Sequence, residues 1–102
     1  MVRVTENSLV WRTPCGVSEN AELQLSVMDG GLEKVYTAKM SGAGRYMAEF
    51  PAVSGWNAGG QEVFSGHADR ITVSDDDGVV LEVGIPGQWN VYARGYSLVF
   101  VR

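Results

Sequence analysis

The residues that could do chemistry in this chain are few and crowded together. Ser65, His67 and Asp69 alternate within residues 54–70, SGWNAGGQEVFSGHADR, a stretch that also holds the only histidine. Alternate residues of an extended strand project to one side, so the ingredients of a nucleophile–base–acid relay would share a face. Their spacing argues against a relay. Neighbours on one strand face stand ~6.6 Å apart at ~3.3 Å per residue, whereas nucleophile and base must meet at about 2.6–3.2 Å. Triads draw their members from separate elements, and the sequence has no Gly-x-Ser-x-Gly elbow. A polar face at a strand edge is expected instead.

Metal chemistry has as little to work with. Structural zinc needs several converging His, Cys or carboxylate ligands, and the chain offers one histidine, His67, and one cysteine, Cys15. The run SDDDG, residues 74–78, carries oxygens of the kind calcium takes but not the twelve-residue loop and terminal Glu of an EF-hand. It is expected to be a solvated hairpin turn. Cys15, in RTPCGV, has no neighbouring His to stabilise a thiolate. Glu49, Glu62, Asp69 and Glu82 supply carboxylates, but nothing selects two of them to face each other across a glycosidase cleft. The sequence therefore predicts no enzyme, no metal and no cofactor.

Binding chemistry is better represented. Trp11, Trp89, Tyr46, Phe50 and Phe100 fall in alternating segments and are expected in the core. Trp56 lies among glycines beside Asn57, with Gln61 close by, and Tyr92 falls opposite the face of Trp89, Val91 and Ala93. An exposed ring with nearby amides can stack a sugar or anchor a protein contact. The stretch 54–66 is longer than a hairpin turn needs. It is expected to be an ordered loop across one end of the fold, with Trp56 either plugging that end or meeting a partner.

The elements that must hold these residues follow a period of two. In ELQLSVM, Leu23, Leu25 and Val27 alternate with Glu22, Gln24 and Ser26; in RYMAEF, Tyr46, Ala48 and Phe50 share a face; in VVLEVGI, Val79, Leu81, Val83 and Ile85 do. This is the pattern of strands with one buried side. Turn residues at 29–31, 41–44, 75–78, 86–87 and 94–95 punctuate it. The expected strands are 2–6, 8–12, 21–28, 32–40, 45–50, 62–66, 69–74, 79–85 and 89–93, with 96–101 closing the chain. So many inward rows exceed what a lone sheet can bury. The expectation is an all-β, antiparallel β-sandwich, immunoglobulin-like or jelly-roll-like, of about eight or nine short strands without substantial helix, forming one domain over residues 1–102.

Bulk properties remove further functions. The 102 residues include 12 Asp and Glu against 8 Lys and Arg, a formal net charge of −4. No basic run could neutralise phosphates, so nucleic acid is not expected as a partner. A lone Cys forbids an intrachain disulfide. The stretch MVRVTENSLVWR has no apolar signal core, and no apolar run reaches the ~20 residues of a membrane helix. A cytoplasmic or virion location, away from membranes, is expected.

The last strand, YSLVFV, is apolar on both sides: Tyr96, Leu98 and Phe100 on one, Val99 and Val101 on the other. Such a strand is either central in a sheet or covered by a partner, and Val99 and Val101 are candidate contact residues.

The segment PGQWNVYARGY resembles the late strands of immunoglobulin-like sandwiches, and AELQLSVMDGG…YTAKMSGAGRYMAEF is similar to small β-domains of tailed-phage virions, of the baseplate and head-accessory type. The resemblance covers residues 21–50 and 84–101, and the Cys pair and intervening Trp of antibody-type domains are missing. It implies a structural or adhesive module rather than a catalyst. The expected function is a non-catalytic assembly subunit of a phage head or tail, working as a homo-oligomer or within a larger assembly. Trp56, Asn57, Gln61, Tyr92, Val99 and Val101 are its candidate contacts. The alternatives are a carbohydrate-binding module, using Trp56, Asn57, Gln61 and Tyr92, and a small acidic immunity or inhibitor protein.

Overall fold

A computed structural model describes residues 2–4, 11–12, 22–40, 47–49, 60–95 and 97–102. The strands are β1 (Val2–Val4), β2 (Trp11–Arg12), β3 (Glu22–Asp29), β4 (Leu32–Lys39), β5 (Met47–Glu49), β6 (Gln61–Ala68), β7 (Arg70–Asp75), β8 (Gly78–Val83), β9 (Gly87–Arg94) and β10 (Ser97–Val101). They form two five-stranded sheets, ordered β1-β8-β7-β3-β4 and β2-β5-β10-β9-β6. The expected β-sandwich is therefore present. No helix occurs among the described residues, and none is long and apolar enough to cross a membrane. Two short pairings depart from the antiparallel expectation: β1 runs parallel to β8 and β5 parallel to β10.

The core follows the alternation. Leu23, Leu25 and Val27 of β3, Ile71 and Val73 of β7, and Leu81 and Val83 of β8 are buried from one sheet. Phe64 and Ala68 of β6, Trp89 and Val91 of β9, and Leu98 and Phe100 of β10 meet them from the other. Trp89 is fixed on several sides. Its Nε1–H donates to the Ile85 carbonyl at 2.9 Å, its indole meets Phe100 edge-on with centroids 6.3 Å apart, and the Arg102 guanidinium lies 5.1 Å over its ring. Arg102 also donates to the Pro86 carbonyl at 3.2 Å, so the C-terminal residue ties the β8–β9 turn to the core.

Two bulges interrupt the ladders, and the first changes an expected face. The β7–β8 register shifts between Val73 and Ser74, so Ser74 pairs with Val79 while Val73 pairs with Leu81. An extra residue in one strand reverses the parity of what precedes it. Val79 is consequently exposed, and Val80 packs against the core in its place. The second bulge, between Glu62 and Phe64, lies at the start of β6.

The loop expected over 54–66 and the strand expected over 62–66 overlap, and the strand is what forms there. Residues 61–68 are strand β6, which closes one side of its sheet by pairing with β9. The chain then passes through Asp69 into β7, which belongs to the opposite sheet. Residues 61–75 thus make the corner that joins the two layers. Gly66 pairs with Trp89 across the ladder and has φ 149°, a backbone conformation open to glycine.

Candidate functional site

Among the described residues two exposed features stand out, and the β3–β4 hairpin belongs to both. Its turn residues, Gly30 and Gly31, have φ of 59° and 85°. Two central residues with positive φ make the tight turn that suits the twist of antiparallel strands. The turn fixes the register of all eight residue pairs from Asp29–Leu32 to Glu22–Lys39.

A two-residue turn makes its flanking residues a hydrogen-bonded pair, and such pairs alternate along the ladder. Leu32, Lys34, Tyr36 and Ala38 therefore direct their N–H and C=O groups to β3. Glu33, Val35, Thr37 and Lys39 direct theirs away from it. Among the described residues β4 pairs with β3 alone, so those four residues present an eight-residue strand's open edge. The same edge exposes large apolar side chains, Leu32 at 69% and Val35 at 58%. Its inner side is anchored: Ala38 and Met40 are buried, and the Tyr36 ring lies 5.3 Å from Phe64 of β6.

The second feature is polar and sits where the hairpin meets the corner. The Asp69 N–H donates to the Met28 carbonyl at 2.7 Å, and the Asp69 carboxylate accepts from the Gly30 N–H at 2.9 Å. His67 Nδ1 lies 2.9 Å from Asp29 Oδ1. Ligating atoms of Asp29, His67 and Asp69 fall within 4.8 Å of one another, the one such trio among the described residues. All three are exposed, with the His67 and Asp29 side chains at 50% and 55%. A pair so open to water contributes little stability. The trio braces the hairpin tip against the corner through Asp69 Oδ2, which accepts from Gly30, and the contact of His67 Nδ1 with Asp29 Oδ1.

The alternating residues of the corner do not assemble into a relay. The Ser65 hydroxyl donates to Asn90 Oδ1 at 2.6 Å, while His67 turns to Asp29. Both lie on the edge strand β6, as a polar edge face requires. Asp29, the partner of His67, is 38 residues away, and no local sequence signal announces it. The acidic run behaves as a turn: the Asp77 N–H donates to Asp75 Oδ1 at 2.8 Å.

The remaining candidates are scattered. Trp56, Asn57 and Cys15 lie outside the described residues. Gln61 is exposed at the start of β6, opposite Ala93, whereas Tyr92 pairs with Glu62 and Val99. Gln61 and Tyr92 thus take opposite faces and do not form one patch. Val99 and Val101 are 1% and 7% exposed, already covered within the chain, and so are not available as the contact surface expected of them. Strand β10 is central, between β5 and β9.

No protein-family model matches this chain, nor does any curated protein or solved structure.

Proposed function

We propose that this chain is a non-catalytic assembly module that works through protein–protein contacts, as a subunit of a larger particle of the tailed-phage virion kind. The observation that carries this reading is the open edge of β4. It combines backbone hydrogen-bonding groups that no described strand pairs, an exposed Val35 and Leu32, and a two-glycine turn that fixes their register. Unpaired edges recruit further strands, and soluble proteins usually blunt or cover them. The side-chain chemistry around it is that of a brace, with Ser65 and His67 committed to separate partners.

The test is Val35→Pro. The Val35 N–H points away from β3, so proline removes no ladder bond of the fold while blocking an added strand. Sedimentation velocity and co-purification from the native host read the result. Association abolished with an unchanged melting temperature supports the module. Unchanged association, or turnover of a substrate that depends on His67, overturns it.

One observation favours a carbohydrate reading second. Tyr92 is half-buried on the outer face of β9, opposite Glu62 and two residues from Asn90. A ring beside carboxylate and amide groups can stack and hydrogen-bond a sugar. Glycan-array binding that disappears in Tyr92→Ala would favour it; a blank array removes it.

A further inference from the structure

Deepening the reading just proposed, and resting on it, we infer that the occupant of the β4 edge is a second copy of this chain, paired antiparallel about a two-fold axis at Tyr36. The argument is one of register and charge. In a two-fold pair, residue i of one copy meets residue j of the other and j meets i, so i and j have a constant sum. Backbone donors meet acceptors only where the outward-directed residues Glu33, Val35, Thr37 and Lys39 pair among themselves. These are also the residues whose side chains share the outer face of the sheet, opposite Met28, Ser26, Gln24 and Glu22 of β3.

Few registers satisfy that condition, and charge separates them. An axis at Glu33 sets two glutamates opposite each other, and one at Lys39 sets two lysines opposite each other. With the axis at Val35, Glu33 meets Thr37 of the second copy and Lys39 is left over. An axis at Thr37 pairs Lys39 with Val35 and leaves Glu33 over. Only an axis at Tyr36 joins Glu33 to Lys39 of the second copy twice, and Val35 to Thr37 twice, engaging residues 33–39 throughout. Opposite charges and β-branched pairs directly across a ladder are favourable, and like charges there are unfavourable. Charges on an edge commonly prevent pairing. Here they bracket the Val35–Thr37 centre and favour the one register that pairs both charges, which is how an interface selects among its alternatives. The product is a continuous ten-stranded sheet made from two five-stranded ones.

Sedimentation equilibrium of the full chain tests this, from about 1 μM to about 1 mM, the range where a small edge interface associates. A reversible monomer–dimer equilibrium is expected. Lys39→Glu and Glu33→Lys, each creating two like-charge pairs, are expected to weaken it at least about tenfold. The combined Glu33→Lys/Lys39→Glu variant, which exchanges the partners, is expected to restore it. Glu22 stands opposite Lys39 within the chain, so the melting temperature of each variant separates lost pairing from lost folding. A wild-type monomer across the range overturns the inference, as does a dimer indifferent to the single substitutions or a double variant no better than either. If the wild-type monomer still recruits another protein's strand, and Val35→Pro abolishes that, the second copy is excluded while the assembly reading stands. A monomer with no partner sensitive to Val35→Pro overturns both.

Discussion

Strands β10 and β4 both carry valine on a side that alternation alone would give to solvent, yet they end in opposite situations. In β10, Val99 and Val101 are buried at 1% and 7%. In β4, Val35 is 58% exposed. The difference lies in their neighbours. Strand β10 is third of five in its sheet, flanked by β5 and β9, and β4 is last in the other. A doubly apolar strand satisfies itself inside its own fold, because the centre of a sheet can be covered on both faces. A lone valine in a charged edge row has no such cover. Apolarity on both faces therefore marks the middle of the architecture, and a single misplaced apolar residue on an edge is the better sign of a contact.

The largest way to break this comparison is inside β10. Phe100→Ala removes a fully buried ring that meets Trp89 edge-on, and it should cost about 3–5 kcal/mol in urea unfolding. A cost below about 1 kcal/mol would mean that β10 is not the centre of a packed layer. Val99→Thr comes next. It keeps the shape and β-preference but buries a hydroxyl, and a loss of about 1–3 kcal/mol is expected. If that loss is absent, Val99 faces water and the contrast with Val35 disappears.

A smaller effect is expected at the brace. Asp69→Ala leaves the Gly30 N–H without its 2.9 Å acceptor at the hairpin tip. The site is exposed, so water replaces much of the bond, and about 1 kcal/mol or less should be lost. Amide exchange at Gly30 should quicken more than exchange in β7. If it does not, the corner does not hold the turn that sets the β4 register.

The layered fold was legible because its signal is local. Leu23, Leu25 and Val27 alternate, and their burial at 0%, 0% and 3% follows directly. Trp89 and Phe100 were likewise readable as core. What escaped is what depends on pairing between distant segments. The bulge that turns Val79 outward needs the partner strand β7 to be seen. The glycines and Trp before β6 point to a loop over 54–66 that overlaps the strand expected over 62–66, and it is the pairing with β9 that makes residues 61–68 strand, with Phe64 and Ala68 on its buried side. Gln61 and Tyr92 looked like neighbours until the β6–β9 register set them on opposite faces. The Asp29–His67 contact spans 38 residues and carries no motif. The open edge of β4 was also invisible, since being last in a sheet is a property of strand order, which alternation does not encode.

The smallest expected effect is the sharpest discriminator. Val35→Thr is the same substitution as at position 99, with the same change in atoms and the same β-branched backbone preference. At an exposed edge the added hydroxyl stays in water, so stability should change by no more than about 0.5 kcal/mol. Hydrogen exchange at low protein concentration supplies the matching backbone test. The N–H groups of Glu33, Val35 and Thr37 point to the open side and should exchange quickly. Those of Lys34, Tyr36 and Ala38 donate into β3 and should be protected. Uniform protection along β4 would mean that its outer edge is already paired in the monomer. Uniform loss would mean that the hairpin does not hold its register. Alternating protection that becomes uniform only at high concentration would tie the free edge directly to self-association.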